Sequence, residues 1–169
     1  VPQDGFLFDA TIAANVRYGR PGLTDAAVTR AFTELGLGDW LQTLADGVDT
    51  PVGQRGESLS AGERQLVAVA RAYVADPDVL VLDEATSAVD PATERRLTRP
   101  LDRLTDGRTT LTIAHRLSTA ERADEVLAVD DGRVVQRGRH TDLVDVPGPY
   151  ARLHASWRRS SGRQPEPTA

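Results

Sequence analysis

Apolar positions along the chain change their period several times, and each change marks a change of element. Up to Ala75 they recur every three or four residues, the spacing of helices with one buried face. Ala10 to Tyr18 reads as a short helix stopped by Gly19 and Pro21. Thr24 caps a second helix, with Ala27, Ala31, Phe32 and Leu35 on its inner face. A third, around Asp39 to Ala45, carries Trp40, Leu41 and Leu44. Gly47 to Ser58 holds three glycines and a proline and reads as a turn-rich loop. Beyond Ser60 an amphipathic helix runs to the break at Asp76-Pro77.

After Pro77 the pattern becomes continuous. Val79-Leu80-Val81-Leu82 fits a strand buried on both faces of a parallel sheet. Pro91 to Leu104 is helical again, with Pro91 in the first turn. Pro100 predicts a break near Arg99, because an interior proline removes one helical hydrogen bond at a cost of about 3 kcal/mol. Arg108 to Ala114 is β-branched and apolar, a second buried strand. Glu125–Asp130 and Arg133–Gly138 flank Asp131-Gly132, a strong hairpin signal. Short helices follow near Thr141 to Val144 and from Pro149 to about Trp157, and residues 158–169 read as a disordered tail.

Composition narrows the class. The chain has 169 residues, enough for one domain or most of one, with ordinary shares of hydrophobic (40%) and charged (27%) residues. A net charge of −5 with scattered basic residues gives no support for nucleic-acid binding. No cysteine is present, so disulfides and thiolate metal sites are excluded. No apolar run approaches the ~20 residues of a membrane span, and no signal peptide is visible. All 20 basic residues are arginine. Without lysine there can be no GxxxxGK[ST] phosphate loop.

Two stretches carry candidate chemistry. Ser60 and Glu63 have the spacing of a capping box, which alone explains a helix start. A capped helix N-terminus with a hydroxyl at Ser60 and a close-approach glycine at Gly62 is also a phosphate site. Asp83 and Glu84 follow directly on the apolar strand. In open α/β sheets ligands sit beyond the carboxyl ends of the strands, where these acids could hold a metal and polarise water. The plainer alternative is that they end the strand and cap the next helix.

The order of the motifs decides between these readings. Leu59-Ser60-Ala61-Gly62-Glu63-Arg64-Gln65 resembles the signature motif of ATP-binding-cassette (ABC) ATPases. Val79 to Glu84 resembles their Walker B strand with its catalytic glutamate, and Ser87-Ala88-Val89-Asp90 the D-loop that follows. Val1-Pro2-Gln3-Asp4-Gly5-Phe6-Leu7-Phe8 resembles the Q-loop segment of the exporter branch, and Ile113 to Ser118 the switch-histidine motif. Two positions depart from the family pattern: Ala61, where glycine is usual, and Gln54, where glutamate is favoured.

The resemblance covers roughly Val1 to Trp157 and implies an α/β fold. It is a P-loop NTPase-like parallel sheet, incomplete because it lacks the Walker A strand, with an inserted α-helical subdomain and a C-terminal β-hairpin. The helical subdomain would span about 9–75 and the sheet core 76–157. The chain then reads as the C-terminal part of an ABC ATPase domain whose phosphate-loop half is missing. The implied cofactors are ATP and Mg2+. Glu84 and His115 would be catalytic. Gln3, Ser60, Ala61, Gly62, Glu63 and Asp90 would contact nucleotide, and Asp83 with Gln3 would face the magnesium ion.

The implied partners are a second ABC ATPase domain, joined head to tail with two ATP molecules between, and a transmembrane domain. The site of action would be the cytoplasmic face of the cell membrane. Two other classes remain open: an ABC ATPase of DNA repair or chromosome maintenance, and a non-catalytic ABC remnant. The short, coil-free helical segment speaks against the first; Ser60, Glu84 and His115 together speak against the second.

Overall fold

The computed structural model describes residues 1–2, 5–83, 91–114 and 116–161, with the backbone alone for 91–95 and 160–161. The chain divides into two compact units, Val1–Ile113 and Ala114–Ala169. The first holds helices α1 (Ile12–Arg17), α2 (Asp25–Glu34), α3 (Gly38–Gln42) and α4 (Ala61–Ala75). Strand β1 (Val79–Asp83), helix α5 (Pro91–Thr105) and strand β2 (Thr109–Ile113) complete it.

Local chemistry sets the helix starts. The Thr11 and Thr24 hydroxyls each accept from a backbone N–H of the following turn, at 3.2 Å. α4 ends at Asp76, whose left-handed backbone (φ 47°) stops the helix. The Asp76 carboxylate accepts from the Arg108 guanidinium at 2.7 Å. The α4 helix is the centre of the unit, with every residue from Gln65 to Ala70 buried. Its apolar face shares one core with Ile12, Val16, Phe32, Leu97 and Leu104. Gly19 is needed where α1 meets α4, because a Cβ there would stand 2.1 Å from the Arg71 carbonyl oxygen.

Three expectations are corrected within these elements. On α2 the buried positions are Val28, Ala31 and Phe32, followed by Leu35, while Ala27 is only half-buried. A helix starting at Asp25 turns Val28 rather than Ala27 into the core. α5 runs unbroken through Pro100. Proline removes only its own N–H, and the buried flanking residues Leu97 and Leu104 hold both halves of the helix to the core. Strand β1 is not buried on both faces: Leu80 and Leu82 lie in the core, whereas Val79 is 59% and Val81 49% exposed. Among the described residues, nothing covers the face carrying Val79, Val81, Leu111 and Ile113.

The parallel pairing expected for the strands is present. β1 and β2 run side by side in the register Val79↔Thr109 to Asp83↔Ile113, with α5 as the crossover. On the opposite edge of β1, the Asp83 N–H donates to the Val1 carbonyl at 3.0 Å. The Val1 amino group in turn donates to the Val81 carbonyl at 2.6 Å. One residue bonded to two positions on either side of Leu82 is the pattern of a parallel ladder.

The second unit contains α6 (Leu117–Arg122), strands β3 (Val126–Asp130) and β4 (Arg133–Gly138), α7 (His140–Leu143) and α8 (Pro149–Ser161). β3 and β4 form the expected antiparallel hairpin. Its turn residues Asp131 (φ 46°) and Gly132 (φ 71°) are both left-handed, which matches the right-handed twist of the strands. Ala120, Leu143 and Tyr150 make a small core, with Trp157 packed against it. α8 continues past Trp157 to Ser161; residues 162–169 of the expected tail lie outside the described residues.

Candidate functional site

The turn before α4 gathers four of the residues singled out in the sequence. Ser60 is the N-cap of α4: its hydroxyl accepts from the Glu63 N–H at 3.2 Å, and Glu63 Oε2 accepts from the Ser60 N–H at 2.9 Å. The capping box is therefore complete. A helix has four free N–H groups at its start. Here the Ser60 N–H is taken by Glu63 Oε2 and the Glu63 N–H by the Ser60 hydroxyl. The Ala61 and Gly62 N–H groups have no acceptor among the described residues. Ser60 and Ala61 are exposed, and Gly62 is buried.

A carboxylate next to such a helix start would repel an anion unless its charge were tied down. Both Glu63 oxygens are occupied: Oε2 by Ser60, and Oε1 by the Trp40 indole N–H at 3.1 Å. Partial burial pushes the Glu63 carboxyl up, but the Ser60 and Trp40 hydrogen bonds and the Arg96 charge outweigh it. The net pKa lies below the ordinary value. The exposed Ser60 hydroxyl proton and Ala61 N–H, with the Gly62 N–H also unpaired among the described residues, form a donor set that fits phosphate oxygens.

Asp83 lies half-buried at the carboxyl end of β1. Its strand partner is Ile113, so in sequence Glu84 and His115 come one and two residues after two paired strand ends. Gln3, Glu84, Asp90 and His115 themselves lie outside the described residues. Among those described, no hydrogen bond or ion pair joins Asp83 to the Ser60 turn.

Several side chains beside the site were not singled out from sequence. Trp40, buried in the core, also braces Glu63. Gln65, 2% exposed, donates to the Pro2 carbonyl at 3.3 Å, beside Gln3, while its Oε1 has no donor among the described residues. Arg71 donates to the Phe6 carbonyl at 3.1 Å and to the Asn15 carbonyl and Oδ1 at 2.9 Å. Gly5 lies against α4 so closely that a Cβ would stand 2.8 Å from the Arg64 carbonyl. The segment that carries Gln3 is therefore fastened to the helix that carries Ser60. Its residues Phe6 and Phe8, with Tyr18, form an exposed aromatic cluster in which Phe8 and Tyr18 stack at 4.1 Å. An FxF pair followed ten residues later by tyrosine has no periodicity that would have revealed this.

A parallel strand pair joined by a crossover helix, beside a helical subdomain, places the chain in the α/β class with a P-loop NTPase-like fold. The family profile described as ABC transporter matches residues 1–87. The ATP-dependent lipid A-core flippase of Bordetella avium is 48% identical over 155 residues, covering 91% of this chain and 26% of that protein. Mouse ATP-binding cassette sub-family B member 6 is 43% identical over 166 residues, covering 98% of this chain and 20% of that protein. A solved structure of a bacterial Atm1-family ABC exporter with ATP bound superposes with a TM-score of 0.83. That match is at 42% identity and covers 98% of this chain and 28% of the exporter's. The chain belongs to the ABC transporter family, and it spans about a quarter of the length of these relatives.

Proposed function

We propose that this chain supplies part of the ATPase of an exporter-type ABC transporter, with ATP and Mg2+ as its ligands. The observation that carries this reading is the Ser60 turn, whose hydroxyl proton and Ala61 and Gly62 N–H groups have no acceptor among the described residues, beside a Glu63 whose two oxygens are both hydrogen-bonded. These donors would hold the terminal phosphate of an ATP molecule whose phosphate loop belongs to a second ATPase domain. Ala61 keeps helical geometry but adds a methyl group where that phosphate approaches. Asp83 and Gln3 would hold the magnesium ion, which would supply positive charge to offset that of the phosphates. Glu84 would accept a proton from the attacking water, His115 would keep Glu84 oriented, and Asp90 would sit at the seam between domains.

In this reading the partners are a second ABC ATPase domain, as a homo- or heterodimer, and a transmembrane domain in the longer protein. The solvent-exposed Phe6, Phe8 and Tyr18 give the transmembrane domain an apolar foothold at the cytoplasmic face of the membrane. No nucleic acid is involved. This chain alone would not turn over ATP, since it has no lysine to place at the phosphates.

The test is Ser60→Asn in the full-length transporter. Asparagine is as good an N-cap as serine, so the melting temperature should hold while its bulk blocks the incoming phosphate. ATP-driven closure and hydrolysis should fall at least tenfold. In mixed dimers the loss should appear at the ATP site built mainly on the wild-type partner. A variant that melts lower yet closes normally on ATP would reduce Ser60 to a cap alone.

A further inference from the structure

The second unit holds a cluster that the ATPase reading does not use. Neither His140 nor His154 is on open surface. His140 is half-buried, and the His154 side chain is only 12% exposed. Their rings lie 5.3 Å apart. Glu121 reaches in from α6, with Oε1 3.9 Å from His154 Nε2. One ligand atom from each of Glu121, His140 and His154 falls within 4.8 Å of the other two. Three helices, α6, α7 and α8, thus converge one metal-ligating side chain each on a single point.

We propose that Glu121, His140 and His154 form a site for a divalent late transition metal of the zinc class. Two imidazoles and a carboxylate are a donor set that zinc takes when it keeps a fourth position open. Metal–ligand bonds of about 2.0–2.2 Å require ligand atoms about 3.4 Å apart in a tetrahedral site. The His154–Glu121 separation needs to close by only about half an ångström toward that value. Glu121 is exposed and free to make that move. A metal-bound histidine is ordinarily held by a hydrogen bond at its other nitrogen. Here the Tyr150 hydroxyl sits 2.7 Å from His140 Nδ1, fixing the ring and leaving Nε2 as the ligand atom. Tyr150 is itself locked in the small core at 2% exposure. Bound metal would clip α6, α7 and α8 together, and the fourth position would carry water.

Calorimetric titration of the metal-free chain with Zn2+ should show binding of one ion per chain. With Co2+ in its place, the visible spectrum should report imidazole-containing coordination of low symmetry. Glu121→Ala removes an exposed side chain without touching the core and should weaken Zn2+ at least tenfold. His140→Ala and His154→Ala should abolish stoichiometric binding, and Tyr150→Phe should weaken it about tenfold through the lost ring anchor. Because Glu121→Ala leaves the fold intact, its result stands even if a histidine variant fails to fold. His115→Ala removes the one other imidazole of the chain and should leave the Zn2+ affinity and stoichiometry as they are. Absence of Zn2+ binding, or binding that survives Glu121→Ala undiminished, overturns the site.

Discussion

At the scale of single residues, Glu63 shows how one side chain can serve both fold and ligand. Its folded pKa lies below the ordinary 4.5, so its charge-dependent stability is present above that pH and is lost as pH falls through the folded value. Glutamine can still reach back to the N-cap, but it has no charge to titrate. Thermal melts should therefore show wild type above Glu63→Gln at pH 7, with the gap shrinking below about pH 4. A gap of constant size down to pH 3 would mean that the charge plays no part. This device was half legible in the sequence. Ser60 and Glu63 stand three apart, which announces a capping box. The Trp40 indole that holds the other oxygen comes from a residue 23 positions away, and nothing in its apolar surroundings announces that bond. Short-range pattern carries caps and turns; it says nothing of a tertiary hydrogen bond. The same limit hid His140 and Tyr150, ten positions apart on different helices.

At the scale of elements, α4 is where the segment bearing Gln3 and the turn bearing Ser60 become one body. Arg71 is the fastening: it satisfies the carbonyl of Phe6 and both oxygens of Asn15, a residue that is fully buried. Arg71→Met should keep the apolar stem but remove three hydrogen bonds from these acceptors, of which Asn15 Oδ1 keeps the Phe8 N–H, lowering urea-unfolding stability by about 2–4 kcal/mol. Gln65→Leu should cost less than about 1 kcal/mol, because it removes a buried acceptor without a donor along with a single long hydrogen bond. If the order of these two costs is reversed, Gln65 is the principal tether. Element types and sequence were readable from periodicity, down to the hairpin at Asp131-Gly132. Pro100 was misread because propensity was weighed without packing: Leu97 and Leu104, both fully buried, outvote one missing hydrogen bond. β1 was misread for the opposite reason. Four apolar residues predict two covered faces, but within the described residues only the Leu80–Leu82 face has a layer on it.

At the scale of the molecule, the open face of Val79, Val81, Leu111 and Ile113 governs how the isolated chain behaves. Such a patch is an association surface when nothing covers it. The purified chain should self-associate in light scattering, and it should show no magnesium-dependent ATP turnover above background. Turnover abolished by Glu84→Gln would instead assign a complete active site to this chain. The parallel pairing of β1 with β2 also sets a clock during synthesis. The ladder from Val79↔Thr109 onward cannot begin until the ribosome has delivered Thr109. At about 5–20 residues per second, β1 emerges with that edge bare for on the order of seconds. The α4 cap, by contrast, closes within a single turn of its own sequence. Nascent chains should thus pass through a stage in which the helices have gathered while β1 waits, and chaperones that shield strand edges would find their substrate there.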